Sequence, residues 1–279
     1  MLKRIITGIF AVAVLIPILV FSETVVFPIA IAVVCSICLY EMFKCVGAAR
    51  KISLTVPAYI FATVFPFLLR YFENPVSVAI IGAIVSLFYL IYVFAHIIWS
   101  HGKLSFEEGL TVYTLTLYIV FALTAIVYIR DYKDIGQYIY LLIFLGAWIT
   151  DIFAYFTGVF FGKHKLIEDV SPKKTIEGSI GGIFFCTLSF VAFGLITDHF
   201  FDRNANLIFL VISGIIISVV SQIGDLIMSV IKRHYKIKDF GKIFPGHGGM
   251  LDRFDSILAV TLGMVCVCLF VSLTGISLI

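Results

Sequence analysis

Residues 206–255 read NLIFLVISGIIISVVSQIGDLIMSVIKRHYKIKDFGKIFPGHGGMLDRFD. Residues 206–231 contain one ionisable side chain, Asp225. At 1.5 Å of rise per residue such a run is long enough to cross a hydrocarbon core about 30 Å thick. It is followed abruptly by polar sequence: Lys232, Arg233, Lys236, Lys238, Lys242 and Arg253, with Asp239, Asp252, Asp255 and four glycines among them. A simple connector between two membrane helices needs none of that chemistry. Cations, permissive backbone and carboxylates in one loop are what holds a polyphosphate and a divalent metal.

Working outward, the same apolar grade recurs along the chain. Of 279 residues, 61% are hydrophobic and 13% charged, with a mean hydropathy of +1.12; a soluble domain carries about 25% charged residues. Backbone groups in lipid must be satisfied within the segment, so helices or a closed barrel are required. The runs are continuous rather than alternating, which excludes barrel strands. The expectation is an all-α polytopic bundle of nine spans, at 5–22, 25–43, 53–70, 76–99, 108–129, 138–160, 179–197, 206–231 and 256–278. The opening MLKRIITGIFAVAVLIPILVF has signal-peptide flavour but no small-x-small cleavage site, and reads as the first membrane helix. With the N-terminus cytoplasmic, 16 of the 20 Lys and Arg fall on the cytoplasmic side, leaving Arg70, Arg130, Lys133 and Arg203 outside. That asymmetry is the positive-inside pattern. Basic residues confined to short loops at membrane level argue against nucleic-acid binding. Residues 1–135 read as scaffold or dimer surface with bland loops, and residues 136–279 as the chemically rich half of one membrane domain.

Asp225 lies inside the eighth span, where an ionised carboxylate costs a few kcal/mol unless it is paired, ligated or hydrated. Ser218, Ser221, Gln222, Asp225 and Ser229 share one helical stripe. The stripe reads either as a hydrated, cation-accessible face or as an interhelical hydrogen-bond seam; the ionisable group favours the former. Asp151 heads a second face with Ala154, Tyr155, Gly158 and Gly162. It either holds a substrate group or cation, or partners a hydroxyl or basic side chain. In GKHKLIEDVSPKKTIEGSIGG (residues 162–182), Ser171-Pro172 reads as a turn, and Lys173 and Lys174 precede the glycines Gly178, Gly181 and Gly182. Cations and small residues near a helix start suit a phosphate; positive-inside charge with close helix packing is the plainer account. Pro245-Gly246-His247-Gly248-Gly249 reads as a turn of unusual backbone angles. His247 bonds a phosphate, steadies the loop or, least favoured, acts as a base. Asp252 and Asp255 each read as first-turn acids of the ninth helix, or, for Asp252 set against Asp225, as part of an oxygen site for Mg²⁺. The six cysteines lie mostly in apolar runs and read as packing residues. There is no Walker A, HExxH or GxSxG motif.

Ser229, Lys232-Arg233, Lys238-Asp239, Gly241, Phe244-Pro245, His247-Gly248-Gly249, Asp252-Arg253 and Asp255 together resemble the defining pattern of phosphatidate cytidylyltransferases (CDP-diacylglycerol synthases). SPKKTIEGSIGG and the Asp151 face resemble that family too, so the likeness spans about half the chain. The resemblance implies that CTP and phosphatidic acid give CDP-diacylglycerol and pyrophosphate. It further implies Mg²⁺, a monovalent cation such as K⁺ beside it, and a homodimer. It points to Asp225 and Asp252 as metal ligands and to Lys173 as a catalytic phosphate-binding lysine. Ser221, Lys174, Lys232, Arg233, Lys238, His247, Gly248, Gly249, Arg253, Asp255 and Asp151 are the candidates for substrate contact. The expected setting is a bacterial inner (cell) membrane, with the site facing the cytoplasm among membrane lipids. A transporter of anionic or phosphorylated substrates, coupled to a cation through the buried acids, is the competing reading; the absence of an internal repeat counts against it. The CDP-alcohol transferase pattern DGxxAR is also absent.

Overall fold

The structure is a computed structural model describing residues 2–72, 74–246, 248–276 and 278–279, with the side chains of 2–7, 10 and 75 outside the description. Candidate residue His247 therefore lies outside the described residues, as do the side chains of Lys3 and Arg4. Among the described residues the chain forms α1 (Leu2–Val20), α2 (Val26–Cys45), α3 (Ile52–Tyr71), α4 (Pro75–Trp99), α5 (Phe106–Arg130), α6 (Gly136–Phe161), β1 (Lys165–Ile167), β2 (Ser171–Thr175), α7 (Ile176–Phe201), α8 (Leu207–His234) and α9 (Leu251–Thr274). A single 3-10 turn, Lys133–Ile135, precedes α6. The all-α polytopic expectation holds. Among the described residues, eight helices, α2 to α9, are long and apolar enough to cross a membrane. Helix α1, 19 residues from Leu2 to Val20, occupies the place of the first of the nine expected spans; its apolar stretch among the described residues is Ala11–Val20.

Two corrections concern polar segments. Residues 165–175 form an antiparallel hairpin, with Lys165 opposite Thr175 and Ile167 opposite Ser171. The turn falls at residues 168–170, and Ser171-Pro172 belongs to β2 rather than to the turn. A proline is tolerated there because a two-stranded sheet is all edge. Helix α9 begins at Leu251, five residues before the expected boundary, because Asp252, Arg253 and Asp255 are helical although not apolar.

The chain divides into two compact units. The first comprises Met1–Tyr128 with Tyr235–Arg253. Its core is the buried face of α2 (Phe27, Ile31, Cys35, Cys38, Leu39, Met42 and Phe43) against Leu54, Ala58 and Phe61 of α3. Phe61 and Phe65 meet Phe121 edge-on at 5.5 and 5.6 Å between centroids, the geometry aromatic quadrupoles prefer. Tyr89 and Tyr92 of α4 donate to the first-turn carbonyls of Leu54 and Ser53 at 3.1 and 2.8 Å. The polar loop 235–250 packs with this unit, away from the half its sequence position suggests.

The second unit comprises Ile129–His234 with Phe254–Ile279. Helices α6, α7 and α8 approach closely through small residues, the usual device where lipid removes the hydrophobic drive between helices. A Cβ on Gly178 would lie 2.6 Å from Ala154 O, on Gly214 2.8 Å from Thr187 Cα, and on Gly182 3.0 Å from Thr150 O. Thr150 Oγ1 donates to Ser218 Oγ at 3.0 Å, and Gln222 Nε2 to Ser179 O at 3.3 Å. Cys35, Cys38, Cys186 and Cys268 are buried free thiols, consistent with packing roles.

Candidate active site

The polar stripe of α8 faces the protein interior, with Ser218 and Ser221 fully buried and Gln222 and Ser229 nearly so. The seam reading is realised over part of the stripe. Ser218 and Gln222 form the interhelical seam through their bonds to α6 and α7. Ser221 Oγ is buried with no hydrogen-bond partner among the described residues, and is not presented at a surface. One turn on, the seam gives way to charge. Asp225 Oδ2 accepts from Lys174 Nζ at 2.6 Å, with both side chains about one-quarter exposed. Lys174 Nζ also lies 3.5 Å from Gln222 O. Alternation along β2 points adjacent side chains to opposite faces, so Lys174 reaches Asp225 while Lys173 is exposed.

Three more predicted residues join this cluster in the second unit. Asp255, on the first turns of α9, lies 3.9 Å from Lys232 Nζ and within electrostatic reach of Asp225 and Asp151. Asp151 Oδ2 accepts from Ser256 Oγ at 2.8 Å, the hydroxyl partnership foreseen as one of its two roles. The unit thus gathers Asp151 of α6, Lys174 of β2, Asp225 and Lys232 of α8 and Asp255 of α9. Arg233 is peripheral and donates from Nε to Val170 O in the hairpin turn at 3.3 Å. The glycines Gly178, Gly181 and Gly182 are consumed by packing against α6. They therefore no longer argue for a phosphate cradle, and Lys173 and Lys174 carry that reading alone.

In the first unit the loop 238–253 builds an open pocket of about 620 Å³ lined by Lys238, Asp239, Gly241, Lys242, Phe244, Pro245, Gly246, Gly248 and Arg253. Gly246 and Gly248 have φ of +83° and +89°, and Phe244 N donates to Gly248 O at 2.9 Å. These are the unusual backbone angles expected of the turn, and only glycine adopts them without strain. Lys238, Lys242 and Arg253 give the pocket three cations suited to phosphate oxygens. Asp252 is buried and holds the loop: its Oδ2 accepts from Phe240 N at 2.8 Å and Gly249 N at 2.9 Å. Charge-assisted bonds of this kind contribute about 1.5–3 kcal/mol each.

One residue escaped the sequence reading. Glu41, inside the apolar run of α2, is 2% exposed. Its Oε1 accepts from Met250 N at 3.1 Å and its Oε2 from Leu251 N at 2.8 Å. The available signal was an acid within a span, which is costly and so needs a stated partner. It was overlooked because its partners lie 209 and 210 residues away in sequence.

Fold and site together define a polytopic helical membrane protein with a cation-lined pocket in one unit and a carboxylate–lysine cluster in the other. A profile of the cytidylyltransferase family matches residues 2–271, and the chain belongs to that family. A phosphatidate cytidylyltransferase of Staphylococcus saprophyticus subsp. saprophyticus is 45% identical over 133 residues, 48% of this chain and 50% of that protein. Those of Staphylococcus haemolyticus and Staphylococcus aureus are 47% and 48% identical over 125 residues, each match covering 45% of this chain and 46% of the relative. In these matches the chain spans about half the length of the curated relatives.

Proposed function

We propose that this protein transfers the cytidylyl group of CTP to phosphatidate, giving CDP-diacylglycerol and pyrophosphate. The observation that carries the reading is the family match over residues 2–271, joined to a polar loop whose pocket is lined by Lys238, Lys242 and Arg253. Relatives named phosphatidate cytidylyltransferase support the choice of lipid substrate, and no relative supports the transporter reading. An oxygen of the lipid phosphate attacks the α-phosphorus of CTP. The bond from that phosphorus to the bridging oxygen breaks, and pyrophosphate leaves with the bonding electrons. The nucleophile is already anionic near neutral pH, so no strong base is needed. Catalysis rests on alignment and neutralisation of charge, as in other transfers at phosphorus. Lys238, Lys242 and Arg253 bind the nucleotide phosphates. Lys173 stabilises the departing pyrophosphate, and Lys174 and Lys232 offset negative charge at the cluster.

The residues present fit a magnesium ion. Such ions take one or two protein carboxylates, with water and substrate phosphates completing the shell. In the second unit three carboxylates face two lysines, and Lys174 Nζ rests directly on Asp225 as a cation would. Among the described residues no three His, Cys, Asp or Glu side chains converge on one point, and an ion held largely by water and phosphate does not need them. Asp225 is the proposed ligand in this cluster; Asp252, expected from the sequence as the second ligand, belongs to the other unit, where its Oδ2 accepts from two loop amides. A metal held by Asp225 would supply charge neutralisation at the substrate phosphates. A K⁺ ion beside it, a homodimer, a cytoplasmic N-terminus and a site opening to the cytoplasm of a bacterial cell complete the proposal. The test is incubation of purified protein in lipid vesicles with CTP, phosphatidate and Mg²⁺. Equimolar CDP-diacylglycerol and pyrophosphate support the reading; CTP consumption without a liponucleotide defeats it.

A further inference from the structure

We propose that Glu41, in the N-terminal half of the chain, is the positioning residue of the loop 238–253. It acts by filling the amide nest at the start of α9, and the inference rests on the cytidylyltransferase reading of that loop. Three successive amides, Gly249, Met250 and Leu251, point their N–H groups at carboxylates. Asp252 takes the first, together with Phe240 N, and Glu41 takes the other two. A helix start with aligned N–H groups is ordinarily an anion site. Here it is filled by the protein's own acids, so substrate phosphate is directed to the cations of the pocket instead.

The fit is specific. A Cβ on either Gly241 or Gly249 would collide with the Glu41 carboxylate. Those two glycines are therefore required by Glu41 and not by a turn angle, since neither has positive φ. Gly241 and Gly248 line the pocket, and Asp252 lies against Gly248. Glu41 thus holds the backbone from which the pocket is made, without lining the pocket itself.

The experiment pairs hydrogen exchange with kinetics on full-length Glu41→Ala and Glu41→Gln in vesicles. Exchange is read without substrates, so it does not depend on the proposed reaction. In Glu41→Ala, peptides covering 238–253 should exchange faster while those of α6 and α8 stay as in the native chain. The kcat/KM for CTP should fall about 100-fold, the scale of a roughly 1 Å misplacement, mostly through KM, and Glu41→Gln, which keeps one acceptor, should recover part of it. Gly241→Ala should be damaging in the native background and milder in the Glu41→Ala background, where the collision is removed. Unchanged exchange at 238–253, or faster exchange with unaltered CTP kinetics, overturns the proposal. A native chain that makes no CDP-diacylglycerol sinks the proposed function instead, and the exchange result and the Gly241 pair, read by thermal stability, still decide whether Glu41 holds the loop.

Discussion

Asp225, Asp252 and Glu41 are three carboxylates that the hydrocarbon region would reject if they stood alone, and each has a different answer to that cost. Asp225 is neutralised by Lys174, Asp252 by two amides of the loop, and Glu41 by two amides at the start of α9. Different substitutions should therefore fail in different ways. Asp225→Asn keeps shape and removes charge. Turnover should drop at least about 100-fold, the range seen when a preorganised electrostatic group is lost, while the melting temperature in detergent changes little; near-native turnover would remove Asp225 from the site. Asp252→Asn keeps at most one good acceptor where Oδ2 serves two amides, so it should lower both turnover and the melting temperature, and a purely catalytic loss would contradict the loop-holding role. Asp225 was visible in the sequence as the one ionisable residue of its span, on a polar helical stripe, and Asp252 through the motif of the last loop. Glu41 was hidden because an isolated acid in an apolar run carries no spacing that points to amides some 210 positions away.

At the level of elements, length and continuity of apolar sequence were enough to locate the helices to within a few residues, because lipid allows few alternatives. The misses are polar. Strands of three and five residues are too short to show a two-residue period, so the hairpin carrying Lys173 and Lys174 read as a loop. The start of α9 is held by Glu41 from α2 and by the helix's own Asp252, which hydropathy does not register. The glycines of α7 were legible as small residues but not as to purpose: coordinates show Gly178 and Gly182 pressed against α6. Gly178→Val should therefore strain the α6–α7 contact and cost about 1–3 kcal/mol as overpacking does. Gly8→Ala, at a position with no atom within 4 Å of the added carbon, serves as the neutral control. Thermal melting in detergent measures both, and equal melting temperatures would show that the contact yields without cost.

Across the whole molecule, the charge asymmetry does not hang on α1. Setting aside Lys3 and Arg4, 14 of the remaining 18 Lys and Arg still fall in loops of one parity and four in the other, so the relative sidedness of α2 to α9 does not depend on the first helix. Single cysteines at Lys133 and Lys242, in a chain cleared of its six native cysteines, should label from opposite faces of sealed vesicles. An impermeant reagent outside cells should reach position 133 and not 242; labelling of both from outside would break the topology.

The chemistry itself is most directly tested by following each phosphate of CTP. Purified protein in phosphatidate-containing vesicles with Mg²⁺ would receive CTP labelled at either the α- or the γ-phosphorus. Attack at the α-phosphorus sends the first label into chloroform-extractable lipid and the second into pyrophosphate. Lipid labelled from the γ-position, or from neither, would contradict cytidylyl transfer.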